Sequence, residues 1–135
     1  MISEIRSAEE EFLNSLIHGF GVILSIIAFI TLTIYTSYKC SFIEIVSSII
    51  YGTSLVLLYM ASTFYHRAKS QNLKNRLELV DHACIYLLIA GTYTPITLIT
   101  LKGDTGLKIL YTIWFMAFIG VIFKLFFYNK KGFVA

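Results

Sequence analysis

The sequence predicts an all-α protein, a polytopic transmembrane helical bundle with four spans. Three observations carry that expectation. The 135 residues are 57% hydrophobic and only 14% charged, where a soluble domain carries about 25% charged residues. Four apolar stretches are each long enough to cross a bilayer. The basic residues fall unevenly on the two sides that four crossings define.

The composition narrows the class first. Eleven Phe and nine Tyr with one Pro and eight Gly argue against a disordered or fibrous chain. The net charge of +3 is small, and its basic residues sit at helix ends and in one connection. That pattern excludes a nucleic-acid partner and leaves membrane lipids as the expected surroundings. Residues 1–12 hold Glu4, Glu9, Glu10 and Glu11 against Arg6. This is the wrong charge for a cleaved signal, so the segment reads as a retained amphipathic lead-in. Cys40 and Cys84 make no disulfide framework and fall near opposite faces of the membrane on the topology below.

A helix needs about 20 apolar residues to cross the hydrocarbon core. The spans are expected at about 17–38, 42–65, 83–101 and 107–128, in one transmembrane domain covering 1–135. Continuous apolar runs of this length suit helices, which satisfy their own backbone groups in lipid. Residues 39–41 make a tight connection, and 102–106, reading KGDTG, make a glycine-flanked turn. The longest connection is expected at 66–82 and carries Arg67, Lys69, Lys74 and Arg76. Eight of the eleven Lys and Arg share one side with both termini; Lys39, Lys102 and Lys108 lie on the other. The positive-inside rule makes the richer side cytoplasmic, which predicts a multi-pass cell-membrane protein with both termini in the cytoplasm.

Polar residues at membrane depth are costly and need an account. Glu11, Asn14 and His18 are spaced i, i+3 and i+7, so they share one helical face. Gly19 and Gly21 beside them would admit a close neighbour. Ser62 and His66 lie one turn apart at the end of the second span. Asp81 and His82 open the third, where a carboxylate would be favoured at a helix N-terminus. Further along, Pro95 should kink the span, with Thr92 or Thr94 satisfying the freed carbonyl. On the predicted topology Glu11, Ser62, His66, Asp81 and His82 meet at the cytoplasmic ends of three helices, with His18 about two turns deeper. Histidine with carboxylate suggests a metal or a proton relay. A catalytic zinc takes three protein ligands and a water, whose pKa it lowers toward neutrality.

Three stretches resemble the hemolysin III family: Glu11…Asn14…His18-Gly19-Phe-Gly21, then Ser62-Thr-Phe-Tyr65-His66, then Asp81-His82-Ala-Cys-Ile-Tyr86 through Thr94-Pro95. That family is related to the adiponectin and progestin receptors and, more distantly, to the alkaline ceramidases. The resemblance implies a seven-helix membrane protein with zinc near the cytoplasmic face, of which these four spans resemble the first four. By position it makes His66 the zinc ligand and sets Ser62 and Asp81, as catalytic residues, beside the metal-bound water. His18 and His82 match recurrent positions that are not zinc ligands. Two further histidine ligands, spaced HxxxH on a seventh helix, are absent from this sequence, so the zinc site is expected to be incomplete and the chain to be a truncated product. The function implied is that of a zinc-dependent lipid amide or ester hydrolase in incomplete form. The alternatives are a non-enzymatic pore-former (hemolytic) or modulator of membrane state, and a plain four-helix scaffold.

Overall fold

The computed structural model describes residues 8–131, with side chains described as far as Phe127. Four helices account for nearly all of it: α1 (Ala8–Lys39), α2 (Phe42–Arg67), α3 (Gln71–Pro95) and α4 (Gly103–Lys131). A six-residue π-helical turn, Ile96–Leu101, continues α3. Each helix is long and apolar enough to cross a membrane. The all-α class and the four spans stand as the sequence predicts.

The connections are shorter than expected. Cys40 and Ser41 join α1 to α2, and Glu44 closes the start of α2. Its carboxylate accepts from the Ser41 backbone N–H at 2.7 Å and from the Ser41 hydroxyl at 2.8 Å, the reach-back half of a capping box. The expected long connection at 66–82 is corrected: only residues 68–70 lie between helices, and α3 begins at Gln71. Ser70 caps it, accepting from the Leu73 N–H at 3.2 Å. Asp81 is therefore in the third turn of α3 and does not cap its start. At the other end, Lys102 with φ 40° and Gly103 with φ 76° reverse the chain into α4, the second being a conformation glycine adopts without steric cost. Residues 8–12, expected in a separate lead-in, are the first turns of α1. Residues 1–7 and 132–135, including Arg6, lie outside the described residues.

Where the sequence predicts a kink, Pro95 ends the regular α-helix and a π-turn follows, and the two threonines do not serve the carbonyl it frees. Proline at 95 leaves the Gly91 carbonyl without its i+4 donor. The Thr92 hydroxyl donates to Leu88 O at 2.8 Å and the Thr94 hydroxyl to Ala90 O at 2.7 Å. The π-turn that follows is the backbone's own adjustment.

Each helix packs on the next in sequence, and among the described residues α1 and α4 do not touch. The spans form an open antiparallel row with α2 and α3 inside. Registers can be read from close approaches. Gly21 faces Tyr59 and Gly52 faces Phe29 across α1 and α2. Gly91 lies against Ser54 across α2 and α3, and Gly120 against Tyr86 across α3 and α4. A Cβ at Gly91 would collide with the Ser54 side chain. Glycine there sets how near those two backbones lie.

The interior is small and largely polar. The buried side chains include Ser15, Ser25, Thr36, Ser47, Ser54 and Thr97, while the buried apolar ones are Ala61, Cys84, Ala90 and Ala117. Phe, Ile and Leu crowd the outer surface. Water would forbid that distribution; in lipid, close packing of small residues holds helices together. Most buried hydroxyls bond within their own helices, as Ser25 does to Val22 O at 2.8 Å and Ser47 to Ile43 O at 2.7 Å; Ser62 instead bonds Asp81 on α3, and the buried Thr33 Oγ1 has no partner among the described residues. Cys40 and Cys84 are both free.

Candidate functional site

The antiparallel row brings the start of α1, the end of α2 and the first half of α3 to one end, here called the basal end. There Glu11 is the hub. Its Oε2 accepts from Lys74 Nζ at 2.7 Å and faces His66 Nδ1 at 3.1 Å. The three side chains are 16%, 23% and 7% exposed, respectively, so the cluster is mostly shielded from solvent. Lys74 also lies 5.0 Å from the centroid of the Tyr65 ring, within cation–π range.

An ionised carboxylate only accepts. At His66 the Nδ1 therefore carries the proton that points at Glu11, and in the neutral ring Nε2 keeps its lone pair. Carboxylates orient metal-binding histidines in this way. The His18 ring stands 5.3 Å from that of His66 and 6.1 Å from that of Tyr59. Its buried Nδ1 has no hydrogen-bond partner among the described residues.

Ser62, 4% exposed, lies within reach of the Asp81 carboxylate, which is also close to His66 and His18. Six of the seven residues named from the sequence thus gather at the basal end: Glu11, His18, Ser62, His66, Asp81 and His82. Asn14 shares the inner face of α1 but makes no side-chain hydrogen bond among the described residues. Sequence reasoning missed Lys74, which it left in a loop, and the direct bond between Glu11 and His66. The signal for Lys74 was Ser70 as a helix cap, which starts α3 early enough to aim position 74 at α1.

Zinc, implied by the family resemblance, fits this donor set only in part. His66 has the oriented ring of a ligand. Among the described residues, however, no group of three His, Cys, Asp or Glu could hold one metal ion, and a catalytic zinc takes three protein ligands.

Four apolar helices with polar side chains gathered at one end define a multi-pass membrane protein. The Haemolysin-III related family matches residues 6–134, and the chain belongs to that family. It is 44% identical over 122 residues to the hemolysin-3 homolog of Bacillus subtilis (strain 168), covering 90% of this chain and 57% of that protein. Against hemolysin-3 of Bacillus cereus the identity is again 44% over 122 residues, covering 90% and 56%. The chain thus spans somewhat more than half the length of these relatives. No solved structure matches it.

Proposed function

We propose that this chain carries the basal part of a zinc-dependent membrane hydrolase site acting on a lipid amide or ester. His66 is the residue offered to the metal, Glu11 orients it, and Ser62 with Asp81 are placed to hold a water beside it. The observation that carries this reading is the bond from His66 Nδ1 to Glu11, which leaves the Nε2 lone pair of the neutral ring for another partner. Donors beyond the described residues would have to complete the metal's shell. The basic end faces the cytoplasm on this reading, by the positive-inside rule.

Zinc titration of the purified protein in detergent, read with a competing chelator dye, tests the assignment. Weak binding is expected, lost in His66→Ala, lowered in Glu11→Gln and kept in Ser62→Ala. Zinc binding that survives His66→Ala would overturn it. Liposomes loaded with dye should stay intact with the protein added. Dose-dependent release would favour the pore-forming alternative, for which a spanning row of unspent polar groups is lacking among the described residues: the buried hydroxyls of α1 to α3 mostly bond their own helices.

A further inference from the structure

A groove of about 820 Å³ runs along the seam of α1 and α2. Ser15, Gly19 and Thr63 form its floor, and Phe12, Leu16, Phe20 and Ile23 its walls. The floor is open at Gly19, where the nearest atom to an added Cβ is Thr63 Cγ2 at 3.8 Å. From Ala8 to Ile23 the groove follows α1 for ~22 Å at the usual helical rise. One leaflet contributes ~15 Å of hydrocarbon, so the groove matches an acyl chain together with its glycerol region. The basal mouth is lined by Arg67, Lys69, Lys74, Glu11 and His66. Lys74 and Glu11 neutralise each other. Arg67 and Lys69 are exposed, and neither pairs with a carboxylate among the described residues. The apolar trough therefore ends in two unspent cations at headgroup depth.

We infer that this groove binds one anionic phospholipid of the basal leaflet, with an acyl chain along α1 and its phosphate against Arg67 and Lys69. An apolar occupant alone would leave the two cations unused, and a soluble anion would leave the trough unfilled. Only an amphiphile with an anionic head answers both halves. The assignment does not depend on zinc at His66.

Native mass spectrometry of the delipidated full chain tests it, with phosphatidylglycerol and phosphatidylcholine of identical acyl chains as probes. Phosphatidylglycerol should bind more tightly. A basic residue near an anionic headgroup adds about five-fold in affinity, so Arg67→Gln with Lys69→Gln should weaken it about 25-fold and weaken phosphatidylcholine, whose choline offsets the same phosphate, far less. Lys102→Gln with Lys108→Gln removes the same charge from the far end and should change nothing. Gly19→Leu fills the trough and should weaken both lipids. Glycerol phosphate in excess should not displace the lipid. The inference is overturned by equal binding of the two lipids, by an unaltered preference in the Arg67/Lys69 variant, or by an equal loss in the far-end variant. Displacement by glycerol phosphate would also overturn it, as would a protein dimer that Gly19→Leu abolishes.

Discussion

Removing Glu11 should loosen three helices at once, and the effect has a size that the geometry sets. Its carboxylate accepts a hydrogen bond from Lys74 on α3 at 2.7 Å and faces His66 on α2 at 3.1 Å. Fully exposed ion pairs contribute about 0.2–1 kcal/mol, while hydrogen bonds to charged groups contribute about 1.5–3 kcal/mol when shielded. With Glu11 16% and Lys74 23% exposed, the pair belongs between those ranges, so a coupling of about 1.5 kcal/mol is expected. The assay is a double-mutant cycle of Glu11→Ala and Lys74→Met, read by reversible unfolding in mixed micelles. Glu11→Ala should cost more than Lys74→Met, because it also takes the partner from His66 Nδ1. Raising the salt should trim the coupling only modestly, since buried pairs are weakly screened. A coupling below about 0.3 kcal/mol, within the error of additivity, would refute the hub role of Glu11.

Three further outcomes follow from the packing. Gly91→Leu should destabilise the protein by about 1–3 kcal/mol through overpacking against Ser54, measured as a lower thermal midpoint; adding Ser54→Gly should recover part of it. Trp114 is the single tryptophan, and its Nε1 donates to Thr94 Oγ1 at 3.0 Å. Thr94→Val should therefore blue-shift its emission and cost about 0.5–1.5 kcal/mol; unchanged emission would count against the α3–α4 register. Cysteines at 62 and 81 should cross-link under mild oxidation, because Ser62 and Asp81 adjoin. A cysteine at 81 that paired instead with one at 44, at the far end of α2, would contradict the antiparallel register.

The spans were legible because length and hydropathy alone decide them in lipid. The convergence of Glu11, Ser62, His66 and Asp81 was legible because four crossings force their helix ends to one side. The first half of α3 was not. Residues 71–81 alternate polar and apolar too evenly to resemble a span, so the segment read as a loop. Yet Leu73, Leu77 and Val80 lie three or four apart behind a capping Ser70, which is the mark of an amphipathic helix. That omission displaced Lys74 from the site and promoted Asp81 to a cap it does not form. The π-turn was hidden for a different reason. Pro95 announces a disturbance, but which way the backbone relaxes depends on packing against α4. The partner of Thr94 was likewise beyond the sequence, since its hydroxyl can reach the Ala90 carbonyl four residues back or the Gly91 carbonyl three back.

The ties of Glu11 also bear on how the protein enters the membrane. Its His66 partner lies 55 residues downstream and its Lys74 partner 63. During synthesis α1 is delivered before either of these partners, on α2 and at the start of α3, has emerged. In the interval the charge is held most favourably at the membrane surface, because a carboxylate is costly in hydrocarbon. Glu11 thus keeps the beginning of α1 at the interface and works as a depth stop before it works as a clasp. The same residue then fixes the helix where it waited, so the final register of α1 is inherited from the order of insertion.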